Sequence, residues 1–224
     1  QSQDMPGNMI TVYVDGSFLR RSPKNAGGVG GIGCWIGDAD PRNVSEPVYL
    51  TGRKVTSNLA EILACKRALE MFPKEQPLLI LTDSSYVQKA LSHWCYQWEK
   101  KGQAEWQKKY NWKELKVLFE LWRRKMAVVG PNGLIIEHVQ GHSGVYGNEQ
   151  ADRLAKNGAA VWSKWGVDGH HPESLPREFV TTHVDGKAEE EEEEEEEEVD
   201  TEDADAVVEF EAQVPPVPGS LPKR

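Results

Sequence analysis

VYVDGS, residues 12–17, carries the decisive signal in this 224-residue sequence. Ile10, Val12 and Val14 fall on one side of an alternating pattern and Thr11, Tyr13 and Asp15 on the other, which is the period of two of a β-strand. The run ends on the Asp15 carboxylate and passes at once into Gly16. An acid at the carboxyl end of a strand lies where open α/β sheets bind ligands. Asp-Gly is equally a common turn pair, so the meaning of Asp15 depends on the rest of the chain.

Immediately downstream, glycines crowd the stretch to Gly33, which ends in alternating Ile32, Cys34 and Ile36. A phosphate-binding glycine loop needs a helix after it, and here a strand pattern continues. Gly28 to Ile36 is therefore predicted as a second strand, paired closely with the first, and Val44 to Thr51 as a third, giving an antiparallel meander. Helical spacing takes over in TSNLAEILACKRALEMF, residues 56–72, where Ile62, Cys65, Leu69 and Phe72 recur three and four apart. Asn58 is positioned to cap this helix with Glu61 three residues later, a structural reason for an acid at that point. Pro73 and Pro77 end the helix, and the apolar run PLLILTD suits a strand buried on both faces. It too ends on an acid, Asp83, after which Ser84 and Ser85 open a helix toward His93.

Residues 94–110, WCYQWEKKGQAEWQKKY, interleave Trp94, Trp98 and Trp106 with Lys100, Lys101, Lys108 and Lys109, and Gly102 interrupts any single helix. Tryptophans at helical spacing serve a core, whereas rings set among lysines serve nucleic acid. An amphipathic helix follows, built on Leu115, Leu118, Phe119 and Trp122 and ending in cations that favour a helix C-terminus. After a PNG turn, LIIEHVQ is the fifth strand candidate. A glycine-rich loop, Gly141 to Gly147, feeds a last helix carrying Asp152, Leu154 and Ala155, and the folded body is expected to close near Trp165.

Charge divides the chain. Residues 166–224 hold 20 acidic and 4 basic residues, net −16, whereas residues 1–165 hold 16 and 22, net +6. A mildly basic body fits a polyanion binder that carries its own counter-charge. The tail includes ten consecutive glutamates, Glu189–Glu198, and too few apolar groups to offset the entropy of ordering, so it is expected to lack fixed structure. His170 and His171 lie in that segment and are read as solvated rather than metal-binding. Cys34, Cys65 and Cys95 have neither disulfide-framework nor zinc-ligand spacing, which points to a reducing compartment. No apolar run reaches membrane-spanning length, and the N-terminal stretch lacks signal-peptide character. The chain begins with Gln1, which leaves room for an upstream segment.

Asp15, Glu61, Asp83 and Asp152 can thus converge over one edge of a sheet, and none is followed by an obvious cationic partner in sequence. Uncompensated, four anions repel, so either some are protonated or a divalent cation lies among them. Oxygen-only ligands select magnesium or manganese over zinc. In nucleases and polymerases such acids hold two ions about 4 Å apart, which activate water and stabilise the leaving oxygen. The corresponding reaction is phosphodiester hydrolysis.

VYVDGS, TSNLAEILACKRAL, ILTDSS and VQGHSGVYGNEQADRLA, in this order, resemble the four signature stretches of the type-one, bacterial and eukaryotic, ribonuclease H family, over residues 10 to about 160. The resemblance implies an α/β fold with a mixed five-stranded sheet in the order 3-2-1-4-5, its first three strands antiparallel and helices on both sides. It implies endonucleolytic hydrolysis of the RNA strand of RNA/DNA hybrids. It carries over Asp15, Glu61, Asp83 and Asp152 as ligands of two magnesium ions, for which manganese can substitute, and His142 as an aid to proton movement or product departure. A histidine exchanges protons near neutral pH, and the glycines beside it allow movement.

By the same likeness, residues of about 94–110 form a basic handle, and Tyr86, Trp94 and Trp98 line a channel for the DNA strand, with Lys100 and Lys101 nearby. Gly16 and Ser17 turn the backbone beneath the scissile phosphate, and groups near Glu61 read the 2′-hydroxyls of the RNA. Thr56 and Asn111 fit the family's phosphate pocket, completed by Arg53 or, after a one-residue shift, Lys54. The chain departs from the family in having Ser57, Asn58 and Leu59 where two amides and a basic residue are common, so one base-edge amide is replaced by the shorter Ser57. The amino-terminal hybrid-binding module of many eukaryotic members is not seen in this sequence, and the acidic tail has no counterpart. The domain plan is a flexible segment 1–9, a catalytic domain 10–165 and an acidic tail 166–224 that contacts the handle or another basic partner. The expected protein is monomeric, free of membrane and intracellular, nuclear or cytoplasmic rather than mitochondrial. A domain cut from a retroelement polyprotein and a catalytically weak hybrid-binding protein are the rival readings.

Overall fold

The computed structural model describes residues 9–19, 28–50, 55–141 and 143–165. Expectations for residues 1–8, Arg53, Lys54, His142, His170, His171 and the acidic tail lie outside the described residues. Five strands, β1 (Ile10–Phe18), β2 (Gly28–Trp35), β3 (Val44–Leu50), β4 (Leu78–Thr82) and β5 (Leu134–His138), form one sheet in the order β3-β2-β1-β4-β5. The first three are antiparallel neighbours, and β4 and β5 run parallel to β1. This is the expected mixed sheet. The helices are α1 (Ser57–Glu70), α2 (Ser85–Lys89), α3 (Cys95–Lys101), α4 (Gln103–Trp106), α5 (Trp112–Val129) and α6 (Tyr146–Trp165), with a π-helical turn, Ala90–Trp94, between α2 and α3.

Alternation along β1 sorts its two faces. Val12 and Val14 are wholly buried, as are Leu78 and Ile80 beside them on β4, in one core with Leu59, Ile62 and Leu63 of α1. Gly16 continues this face, and a Cβ there would overlap the Ala60–Glu61 peptide, so glycine is what lets α1 approach the strand. The opposite face receives α6. Side chains on Gly31 or Gly33 would collide with the α6 backbone at Ala151, Ala155 and Ala159. The tight approach that these glycines permit is therefore that of a helix lying across β2, rather than only the strand pairing expected from sequence.

Four sequence readings are corrected. Asp15 is not the end of its strand, nor Gly16 a turn, because β1 continues through Ser17, paired with Gly31, to Phe18, paired with Gly30. The pairing with β4 stops at Val14–Thr82, so Asp15 stands at the carboxyl edge of the parallel half of the sheet while the antiparallel half runs on. The cap of α1 is Thr56, whose hydroxyl accepts from the Leu59 amide at 3.2 Å, and not Asn58. Such a cap is worth about 1 kcal/mol. Glu61 is thereby free of any capping duty. The cations of α5 do not end it. The helix runs on to Val129, and the buried Lys125 donates to the Pro73 carbonyl at 2.6 Å, bracing the turn after α1. Finally, Gly147 belongs to the first turn of α6, against the Tyr13 ring, rather than to the preceding loop.

The tryptophans between α2 and α5 divide between core and surface. Trp98 and Trp106 are buried with Phe119, while Trp94 is only partly covered. Gly102, at φ +94°, breaks the helix between α3 and α4 as expected. The Trp106 indole donates to Glu99, and the Lys109 ammonium lies 5.0 Å from the centre of the Trp98 ring, so cations line the outer side of an aromatic core. Among the described residues, no helix is long and apolar enough to cross a membrane.

Candidate active site

Asp15 is positioned by β1, Glu61 by the second turn of α1, and Asp83 by the residue that follows β4. One carboxylate oxygen from each lies within 4.8 Å of the others. Asp15 and Glu61 are buried, 7% and 6% exposed, and Asp83 is half-buried. Gly16 is what permits this grouping, since any larger residue would push the Glu61 backbone away from β1.

The electrostatics follow from the crowding. Burial raises the Asp15 carboxyl from its ordinary 3.8 to about 7, opposed by a hydrogen bond from Glu61 and reinforced by the charges of Asp83 and Asp152. Glu61 is pushed well above its usual range, first by burial and then by Asp15 and Asp83. The hydrogen bond between the two carboxyls lowers Asp15 and raises Glu61. The second oxygen of Glu61, Oε2, is buried without a hydrogen-bond partner. An acceptor left unpaired in such a place is costly. A hard divalent cation would satisfy it and remove the repulsion at the same time, so the donor set fits such an ion by chemistry and by its orphan oxygen.

Asp152 departs from expectation. It lies near enough to raise the Asp15 carboxyl but not within the close set. Its Oδ2 pairs instead with Lys156 at 2.8 Å, one helical turn later on α6. The sequence reading of four acids without cationic partners is thereby corrected, since residues four apart on a helix are neighbours. Asp83 also has a partner that sequence reasoning missed. Asn148, 3% exposed, donates its amide to Asp83 Oδ2 at 3.0 Å, leaving its own Oδ1 buried and unpaired. The signal was present, because Asn148 precedes Asp152 by four residues and so shares its helical face. A His138 ring nitrogen lies 3.1 Å from the Asp83 carbonyl oxygen, and Gly141 lies so close to the Asp83 carboxylate that a Cβ would come within 2.9 Å.

The remaining expected residues occupy three places. Ser17 continues β1 beyond Asp15, and Thr56, Ser57 and Asn58 open α1 one turn before Glu61, all half-buried. Tyr86, three residues after Asp83, meets Trp94 edge-on at 5.8 Å, and Trp94 stacks on Trp98 at 6.1 Å, giving an aromatic run from the acid cluster to the handle. Trp98 is mostly core, so its share of any channel wall is small. Lys100 and Lys101 are exposed at the end of α3, and Asn111 is buried at the start of α5.

A mixed sheet of this order, with carboxylates gathered at the carboxyl edge of its parallel half, defines an α/β protein with a group of acids that could hold a metal ion at one end of its strands. The profile of the family described as RNase H matches residues 7–160. The chain belongs to the RNase H family, and the matched segment is its ribonuclease H catalytic domain. It is 40% identical over 149 residues to "Ribonuclease H" of Schizosaccharomyces pombe, covering 66% of this chain and 52% of that one. It is 33% identical over 141 residues to "Ribonuclease H" of Ruegeria sp., covering 62% and 87%. The chain thus spans about half the length of the yeast relative and most of the bacterial one. Its fold is similar to that of a foamy viral protease-reverse transcriptase solved with double-stranded DNA, at a TM-score of 0.53 and 23% identity over 71% of this chain and 99% of that one.

Proposed function

We propose that this protein hydrolyses the RNA strand of RNA/DNA hybrids as a magnesium-dependent endonuclease, with manganese able to substitute. The observation that carries the reading is the Asp15, Glu61 and Asp83 oxygen cluster with its unpaired, buried Glu61 oxygen. These three acids would hold the metal, with Asp152 as a further ligand at its margin. When bound, the ions supply an activated water and stabilise the leaving oxygen in an in-line displacement. The protein's own part is to fix the acids. Gly16 sets the distance between β1 and α1, Asn148 holds one oxygen of Asp83, and burial around Asp15 and Glu61 keeps bulk water from competing. His142, which follows Gly141 in sequence, is assigned to proton movement near the leaving group.

Hybrid recognition is assigned to both flanks of the cluster. Ser57 and Asn58 present short polar groups one turn from Glu61, on the side where 2′-hydroxyls would be read. On the other side, Tyr86 and Trp94 offer ring faces and Lys100 and Lys101 offer charge to a deoxyribose backbone. Residues 94–129 hold nine basic and four acidic residues, net +5, so nearly all the net positive charge of the body, +6, lies here. The Glu189–Glu198 run is assigned as a competitor for this surface, on the strength of that charge contrast. A cleavage assay on an RNA/DNA hybrid, double-stranded RNA and double-stranded DNA, with magnesium and with EDTA, tests the reading. Cleavage confined to the RNA of the hybrid and abolished by EDTA is expected; metal-independent cleavage, or equal cleavage of all three, refutes it.

A further inference from the structure

Among the cations with described side chains, Lys156 is unusual in its closeness to the acid cluster. Its ammonium pairs with Asp152 Oδ2 at 2.8 Å and also feels the charge of Asp15. Asp152 in turn stands outside the close set formed by Asp15, Glu61 and Asp83. The pair is accessible, with side-chain exposures of 60% for Lys156 and 33% for Asp152. Solvent therefore weakens the attraction without abolishing it, and a long lysine side chain can swing away at small cost.

From this arrangement we infer that Lys156 is a positioning residue that sets the metal affinity of the site, by holding Asp152 as its counter-ion until a divalent cation takes the carboxylate from it. The inference rests on the metal-dependent reading above and deepens it. Two effects act in the same direction. A metal that recruits Asp152 must break the ion pair, and the ammonium adds positive charge close to the position the metal would take. Lys156 thus lowers affinity chiefly at the margin of the site, where Asp152 contributes.

The test is direct binding of Mn2+ to the full chain, read from the electron paramagnetic resonance signal of the free ion and therefore independent of turnover. Lys156→Met is expected to tighten binding two- to fivefold, and Lys156→Arg, which keeps the pair, to bind like the wild type. In an Asp152→Asn background, the Lys156→Met change is expected to tighten binding clearly less than in the wild type, because the carboxylate it competes for is gone and only the direct charge effect remains. The thermal melting curve of each variant in EDTA verifies folding. Equal affinity in wild type and Lys156→Met, or the same tightening with and without Asp152, would overturn the role of Lys156 while leaving the metal-dependent reading standing. Absence of Mn2+ binding in every variant would overturn both.

Discussion

Replacing Asp15 by asparagine should stabilise the metal-free protein at neutral and alkaline pH, and the size of the gain follows from the surroundings of the carboxylate. Asp15 is raised from 3.8 to about 7 by burial and by neighbouring acids. A carboxyl whose folded value lies above its unfolded value binds more protons in the folded state, so stability falls as pH rises between the two values. The loss begins near pH 4 and is complete just above pH 7. Three units at Asp15 correspond to roughly 4 kcal/mol, and because Asp15 titrates together with Glu61, the pH dependence is shared between the two. For a body of this size that is a fall in melting temperature of roughly 8–16 °C. Thermal unfolding in EDTA at pH 5 and pH 8 should show this fall in the wild type, a smaller one in Asp15→Asn, and recovery of the wild type at pH 8 on adding magnesium. Equal pH dependence in wild type and Asp15→Asn, or no response to magnesium, would refute the electrostatic account of the cluster.

Three further outcomes are expected. Gly33→Val places a side chain in the backbone of α6 at Ala151 and Ala155, and should cost at least 3 kcal/mol, read as a lower midpoint in urea. Asn148→Ala removes the hydrogen bond to Asp83, worth about 1.5–3 kcal/mol when the acceptor is charged; kcat on a hybrid should fall about 10- to 100-fold with KM for the hybrid little changed, whereas a KM effect alone would argue against a role at Asp83. Deleting residues 166–224 should lower KM for the hybrid at low salt and have little effect at high salt, where charge attraction is screened, and coincident salt curves for the two forms would count against the tail as a competitor.

The strand and helix order was legible because each signature stretch changes period where its element changes, from two in VYVD to three and four in the α1 segment. The sheet order came through the family likeness rather than through periodicity, whereas the convergence of Asp15, Glu61 and Asp83 was already suggested by two strands that lead into acids and a helix start that carries a third. What stayed hidden depends on pairing across the chain. The continuation of β1 past Asp15 follows from β2 being longer than β4 on that side, which no local pattern in VYVDGS records. The helix-facing role of Gly31 and Gly33 required knowing that α6 crosses β2. Thr56 and Asn58 are both competent caps, and only the path of the backbone chose between them. Lys156 is different, since its spacing of four residues from Asp152 on a helix is readable in the sequence. Trp98 shows why an aromatic stripe among lysines is ambiguous: one ring can lie in the core and still carry a cation on its outer face.

The central claim is that the carboxylates serve metal-dependent chemistry and not hybrid binding. Asp83→Asn keeps the size of the side chain and removes the charge at one corner of the cluster, so it separates the two. Cleavage and binding of one RNA/DNA hybrid should be measured side by side in magnesium, with the wild type and Asp83→Asn at equal concentration. The account predicts loss of cleavage with hybrid affinity retained. Substantial turnover by Asp83→Asn in magnesium, or loss of binding in step with cleavage, would contradict it.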